Sequence, residues 1–233
     1  MADYGFSSRI RAKRQAGFIP VIPDIKCKSP KEGDLLRGRD PVATARLLVE
    51  AGAPVLSVVT ESDNFGGSLK LLEQVIRETG VPALRKDFIS NRDDLLVTKD
   101  IGASAILLIS SMLTQEQLLF FYEAAIELGL EQLVETHSIA EIQYAARLGA
   151  GLVGINNRNI VELELDDGTV EATASLAAYK PEGCLLISES AIATQADANS
   201  AVLAGADAVL VGTSLWQAED MLALYAELSQ RIS

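Results

Sequence analysis

The chain has 233 residues, a hydrophobic fraction of 48% and a formal net charge of −12. An acidic balance with no basic run argues against nucleic acid as a partner, since a phosphate backbone needs clustered lysine and arginine; a small anionic ligand held by a few lysines and a helix N-terminus stays open. Cys27 and Cys184 offer neither metal-ligand spacing nor a disulfide framework and fit a reducing cytosol, and no basic lead runs into a long apolar segment that would target or span a membrane.

Residues 1–17 are polar and basic (Arg9, Arg11, Lys13, Arg14) and read as a short helix or an ordered lead-in. Beyond them, short β-branched runs alternate with amphipathic stretches. Strands are expected near 20–26, 55–61, 83–88, 105–110, 131–137, 152–158, 184–190 and 208–214. Helices are expected over 41–51, 68–79, 91–101, 114–128, 139–148, 170–179, 195–204 and 215–230. Several of these end at a glycine, and Ala-Gly-Ala or Ile/Leu-Gly-Ala turns recur before strands, as at 51–53 and 148–150. Eight βα units in one domain of about 200–250 residues predict a single-domain (β/α)8 TIM barrel over 1–233, with 1–17 as a short N-terminal extension. No Gly-x-Gly-x-x-Gly loop follows the first strand, which weakens a dinucleotide-binding sheet. The longest unpatterned stretches, 29–40 and 159–169, follow strands one and six.

Barrel enzymes build their sites at the C-terminal strand ends. There the sequence breaks the rule that a buried parallel strand is nearly all apolar. In Asp24-Ile25-Lys26-Cys27-Lys28-Ser29-Pro30, alternation puts Asp24, Lys26 and Lys28 on one face and Ile25 and Cys27 on the other. Taken alone, this is as easily an ion-paired strand end as a site. The oddity recurs, however, with Glu61, Lys86, Ser110, Glu135, Asn156, Arg158, Glu189 and Ser190 at later strand ends. If the barrel closes, seven strands aim lysines and carboxylates at one mouth, a mixture suited to shifted pKa values and proton transfer.

Ser190-Ala191 after strand seven and Gly212-Thr213-Ser214 after strand eight occupy the usual phosphate position of such barrels. By itself the second pair reads equally as a turn glycine and a helix cap; the barrel assignment favours phosphate. Phe65, Phe88, Leu107 and Ile109 are either plain core or the wall of an aromatic substrate's pocket. His137, the only histidine, follows a strand end at the edge of the site and has no metal partners in sequence. Asp87, out of phase with Lys86, is expected to anchor a loop or pair with Arg85, and Cys27 to pack toward the helices.

These segments carry a family resemblance. The Asp24–Pro30 segment, Thr60-Glu61 with Phe65-Gly66-Gly67-Ser68, and Leu84-Arg85-Lys86-Asp87-Phe88-Ile89 resemble indole-3-glycerol phosphate synthase. So do Val134-Glu135-Thr136-His137, Gly154-Ile155-Asn156-Asn157-Arg158-Asn159, Ser188-Glu189-Ser190 and Leu210-Val211-Gly212-Thr213-Ser214-Leu215, all in order over 20–216. The resemblance implies ring closure of 1-(2-carboxyphenylamino)-1-deoxyribulose 5-phosphate with loss of carbon dioxide and water, in tryptophan biosynthesis. It implies no metal and no organic cofactor, a small phosphorylated substrate as partner, and a cytoplasmic monomer or weak homo-oligomer. By similarity, Lys86 is the general acid at the ribulose carbonyl. Lys26 neighbours the substrate carboxylate and serves as an acid in dehydration. Glu135 is the general base or stabilises the cationic intermediate, while Asn156 and Glu189 orient sugar hydroxyls and the lysines. Lys28, Ser190, Gly212 and Thr213 match phosphate-side or substrate-binding positions. Ser29, Glu61, Phe65, Phe88, Leu107, Ile109 and Arg158 match the pocket wall.

Three departures stand out. Asp24 replaces the family's usual glutamate, Ala191 replaces the glycine of Glu-Ser-Gly, and the lead before strand one is short where the family has a helical extension over the substrate. They keep two alternatives in view: a paralogue acting on a related aryl or aminoribulose phosphate, and a barrel that binds a phosphorylated ligand without turnover.

Overall fold

A computed structural model describes residues 5–158, 160–163, 165 and 168–232. Asn159 of the Asn-Asn-Arg-Asn motif, and part of the stretch after strand six, lie outside the described residues. Eight parallel strands close into a barrel: β1 Val21–Ile25, β2 Leu56–Val59, β3 Ala83–Lys86, β4 Ala105–Ile109, β5 Glu131–Thr136, β6 Leu152–Asn156, β7 Leu185–Glu189 and β8 Ala208–Val211. Sequential strands are neighbours, and β1 closes on β8 through Val21↔Val209 and Pro23↔Val211. The expected (β/α)8 barrel is the observed fold.

Side-chain parity divides the core in two. Ile22, Val59, Leu84, Leu107, Leu133 and Ile187 point inward and fill the barrel. The alternate residues, such as Val58, Ile106, Val134 and Val153, pack against the surrounding helices. Both strand faces are thus buried, as parallel strands require. The outer helices are α2 Pro41–Glu50, α3 Leu69–Thr79, α4 Arg92–Ile101, α5 Gln115–Glu127, α6 Ile139–Leu148, α7 Glu171–Leu176 and α8 Gln195–Leu203. Most start at a side-chain cap, with reciprocal capping boxes at Asn91/Asp94, Thr114/Gln117 and Thr194/Asp197. Among the described residues no helix is long and apolar enough to cross a membrane.

The basic lead-in, read from sequence as a short helix or an ordered segment, contains helix α1, Phe6–Gln15. Phe6 and Ile10 are fully buried with the inward-facing strand residues and plug the N-terminal end of the barrel, opposite the strand ends that carry the polar set. The carboxylate of Glu131 accepts from the Phe6 and Ser7 amides at 3.0 and 3.2 Å, a favourable charge at a helix N-terminus. Arg11, Lys13 and Arg14 reach backbone carbonyls of Gly183, Gly52 and Ala206 in turns that precede strands. The basic residues serve docking at the base of the barrel.

Two further segments differ from the sequence reading. The expected last helix splits into α9, Thr213–Gln217, and α10, Met221–Leu228, because Asp220 accepts from Ala223 N at 2.9 Å and caps a new helix. Trp216 in α9 is pinned, its Nε1 donating to the Asp24 carbonyl at 2.8 Å. The stretch after β1 forms a two-rung hairpin, Lys28 pairing with Asp34 and Ser29 with Gly33. Arg39 ties the loop that follows to α9, donating to the Trp216 carbonyl and lying over its ring.

Candidate active site

The inward phase that fills the barrel with Leu84, Leu133 and Ile187 places Lys86, Glu135 and Glu189 two residues further along each strand, at the mouth. Glu135 and Glu189 are fully buried and Lys86 nearly so. Lys86 Nζ lies 3.5 Å from Glu189 Oε2 and 4.0 Å from Glu135 Oε2. Asn156, in register with Glu189, donates from Nδ2 to Glu135 Oε1 at 3.2 Å. Gly154 lies between the two acids: it pairs with Glu135 in register, and a Cβ there would fall 2.0 Å from Glu189 Oε1. Only glycine leaves room for the Glu189 carboxylate.

Burial drives the Glu189 carboxyl up to about 8, against the nearby Lys86 and with help from the charge on Glu135. At neutral pH Glu189 therefore tends to keep its proton beside Lys86. Such a cluster exchanges protons near pH 7, the property general acid–base catalysis needs.

Two cavities meet at this cluster, and Asp24, Lys26 and Lys86 line both. One, of about 350 Å³, is walled by Val59, Phe65, Phe88, Leu107, Ile109 and Ile160. The other, of about 380 Å³, is bounded by Arg158, Ser190, Ala191, Gly212, Thr213 and Ser214. An apolar chamber and a polar one thus share three charged groups. Lys26 Nζ stands 4.7 Å from the centroid of the Phe65 ring, and Phe65 meets Phe88 edge to face at 6.4 Å. The four apolar residues that sequence left as core or wall line this cavity, and Phe65, Leu107 and Ile109 belong to the buried barrel core as well.

Asp24 is held by Ser57 Oγ, which donates to its Oδ1 at 2.6 Å. Gly212 has φ −115°, which any residue adopts; its small size matters because a Cβ would come 3.2 Å from both Cβ and Oδ2 of Asp24. Thr213 is the first residue of α9, inside the helix and not at its cap. Ser190 and Ala191 both take left-handed backbone, at φ 65° and 55°. Asn157 clamps that turn, its Nδ2 donating to the carbonyls of Glu189 at 3.0 Å and Ser190 at 3.1 Å, while its Oδ1 accepts from Thr173. Left-handed backbone costs a Cβ-bearing residue roughly 1–2 kcal/mol. Glycine adds some freedom to the unfolded chain, so Ala191→Gly is expected to stabilise by about 0.5–1 kcal/mol. A urea midpoint that moves upward at unchanged slope is the check; a lower midpoint would mean the turn stores no strain.

Not every candidate reaches a cavity through its side chain. Lys28 is exposed, and Ser29 belongs to the hairpin strand, its Oγ accepting from Glu32 N at 3.4 Å; neither lines a chamber. Glu61 lines the apolar chamber, but its carboxylate accepts from the amides of Asp63, Asn64 and Phe65 at 2.9–3.1 Å, which shapes the loop that carries Phe65. Asp87 pairs with Arg85 at 2.8 Å and accepts from Thr60 Oγ1 at 2.6 Å, as its phase suggested. Cys27 is half-buried against the outer core. His137 lies outside both chambers, its Nε2 3.5 Å from Glu135 Oε1. Among the described residues no cluster of three or more His, Cys, Asp or Glu has the geometry of a metal site.

Sequence reading missed Val59 and Ile160 in the apolar chamber, Ile192 in the polar one, and Asn157 at the turn it clamps. The phase of Val59 could have found it, because it shares parity with Glu61. Ile160 sits in an irregular loop where no periodicity operates.

A family model described as indole-3-glycerol phosphate synthase matches residues 1–228. The chain is 44% identical over 220 residues to indole-3-glycerol phosphate synthase from Pyrococcus furiosus, covering 94% of each. It is 44% identical over 210 residues to the Thermococcus kodakarensis protein of that name, covering 90% of this chain and 92% of that one. The Streptococcus pneumoniae protein is 40% identical over 216 residues, covering 93% and 83%. Among solved structures, thiamine phosphate pyrophosphorylase from Pyrococcus furiosus superposes with a TM-score of 0.61 at 18% identity, over 89% of this chain and 91% of that one, a likeness of fold alone.

Proposed function

Because the chain belongs to the indole-3-glycerol phosphate synthase family, we propose that the mouth of its barrel carries that family's reaction on the residues assigned below. The enzyme is a carboxy-lyase of tryptophan biosynthesis that converts 1-(2-carboxyphenylamino)-1-deoxyribulose 5-phosphate to indole-3-glycerol phosphate, carbon dioxide and water. The observation that carries the site assignment is the pair of chambers, one apolar and one polar, with Asp24, Lys26 and Lys86 at their junction. The substrate has the same layout: an aryl ring at one end, a phosphate at the other and the reacting ketone between.

The aryl group lies against Phe65, Phe88, Leu107 and Ile109. The phosphate meets Ser190, Ala191, Gly212 and Thr213, with Arg158 at the rim. The aryl carbon that bears the carboxylate then attacks the ketone, and Lys86 gives its proton to the ketone oxygen. Departure of carbon dioxide returns an electron pair to the ring. Loss of the new hydroxyl as water, with Lys26 as acid and Glu135 taking the proton from carbon, completes the indole. Acid at one oxygen and base at one carbon is the division of labour that two lysines and a buried carboxylate can supply. Asn156 and Glu189 hold these groups in line. We further expect the enzyme to work in the cytoplasm, as a monomer or weak homo-oligomer, without a metal or organic cofactor.

The test is growth of indole fluorescence when purified protein meets the substrate. Turnover supports the assignment, and its absence would overturn it. Asp24 supplies a second check. Its carboxylate is one methylene short of the family's glutamate and is held by Ser57, so Asp24→Glu extends the acid toward the junction. Turnover is expected to be preserved or raised; a loss beyond about tenfold, on the scale that small displacements cost, would mean the pocket is retuned for another substrate.

A further inference from the structure

The assigned reaction leaves His137 without a task. It follows β5 directly, and its imidazole lies against Glu135 without lining either chamber. Its Nε2 is 3.5 Å from Glu135 Oε1 and its Nδ1 is 3.8 Å from Glu141 Oε2. Glu141, in the first turn of α6, also accepts from the His137 backbone amide at 2.6 Å, which fixes where the residue sits. From the cavity outward the groups run Lys86, Glu135, His137, Glu141. With the imidazole protonated, the signs alternate along the whole row.

We infer that His137 is a positioning residue, whose protonated ring holds the buried Glu135 carboxylate charged and aimed at Lys86, so that loss of its proton switches the site off at alkaline pH. This rests on the reading of Glu135 as the base of the reaction. A fully buried carboxylate is costly unless paired on each side. Around its carboxylate Glu135 has Asn156 at 3.2 Å, His137 at 3.5 Å and Lys86 at 4.0 Å. The groups acting on the imidazole are all acidic: Glu141 on α6, Glu135 on β5 and, once ionised, Glu189 on β7. Burial works against the imidazolium, yet those carboxylates outweigh it and raise its titration above the ordinary histidine value. Burial likewise opposes the Glu141 charge, but contact with His137 more than compensates and holds Glu141 below the usual carboxylate range. The sign follows: the imidazolium, and with it the supported Glu135, persists below the raised value and is lost as pH rises through it.

The experiment measures kcat and KM against pH for the full chain, using the aryl ribulose phosphate, in four proteins besides the parent: His137→Gln, Glu141→Gln, the double variant and Glu135→Gln. Glu141 touches neither chamber, and a glutamine there keeps an oxygen for the His137 amide while removing the charge. Glu141→Gln should move the alkaline limb of kcat to lower pH by about one unit, as loss of one adjacent opposite charge does. His137→Gln should lower kcat about tenfold near neutrality with KM within about twofold, since a group that aims a base acts on the chemical step. The double variant should match His137→Gln at every pH, because Glu141 then has no imidazolium to hold. An unmoved limb in Glu141→Gln overturns the inference, even if His137→Gln fails to fold. Normal kcat in a folded His137→Gln overturns it as well. If instead Glu135→Gln turns over normally, the assignment of Glu135 itself is wrong, and the inference falls with it.

Discussion

Lys86→Ala is expected to reduce turnover by about three orders of magnitude or more, at the upper range for loss of a general acid, while KM changes only a few-fold. The split follows from the layout of the mouth. Lys86 is on the wall of both chambers, but the surfaces for the aryl ring and the phosphate come from other residues: Phe65, Phe88, Leu107 and Ile109 on one side, Ser190, Gly212 and Thr213 on the other. Removing the ammonium therefore leaves ground-state contacts in place and deletes the proton given to the ketone oxygen, which is transition-state stabilisation alone. Lys86→Ala also strips one cation from Glu135, and breaking a buried pair from one side costs on the order of 3–5 kcal/mol. Here the cost is expected at the lower end, because Glu189 tends to hold its own proton and His137 still faces Glu135. Steady-state fluorescence assays with a thermal melt on the same sample separate the two effects. Near-normal turnover in a folded Lys86→Ala would remove Lys86 from the mechanism.

What could be read from sequence, and what could not, divides along one physical line. A parallel barrel strand buries both faces, so parity alone assigns each residue to the interior or the helical layer, and a charge in the inward phase stands out. That made Lys86, Glu135, Asn156 and Glu189 legible from four separate strands, and Asp87 legible as the partner of Arg85. Where regular pairing stops, parity loses its meaning. Strand β1 ends at Ile25, so Lys28, counted in phase with Asp24 and Lys26, starts a surface hairpin instead. Glu61 lies beyond the last residue of β2, and its carboxylate turns back onto its own loop. The left-handed pair at Ser190 and Ala191, and the Asn157 clamp beneath it, depend on contacts between the ends of β6 and β7 that no local pattern encodes. The same holds for α1: its basic residues are plain in sequence, but which end of the barrel they dock on is decided by turn carbonyls far along the chain. His137 was visible only as a lone histidine; its meaning comes from a neighbour on β5 and another on α6.

Glu189→Gln is expected to make the protein more stable and far less active, a combination that a structural acid would not give. Glu189 is fully buried, and its carboxyl titrates near 8 in the fold, against an ordinary value of 4.5. Between those two values the unfolded chain has released the proton while the native chain still holds it. Stability contributed by Glu189 is therefore full at acid pH and declines as pH rises through that window. Each unit of such a shift corresponds to about 1.4 kcal/mol, so the parent forfeits on the order of a few kcal/mol by pH 8. Glutamine has the shape of the protonated carboxyl and no proton to lose. The stability difference between Glu189→Gln and the parent should accordingly be small near pH 5, grow toward pH 8 and then level off, as read from urea midpoints across that range. Turnover should move the other way, falling on the order of a hundredfold, because an amide beside Lys86 cannot exchange a proton with the ammonium. Stability surrendered at a fully buried acid in exchange for activity is what a site maintained for chemistry displays. If Glu189→Gln proved less stable at every pH, the carboxylate would be a structural partner of Lys86 and its role in proton transfer would be lost.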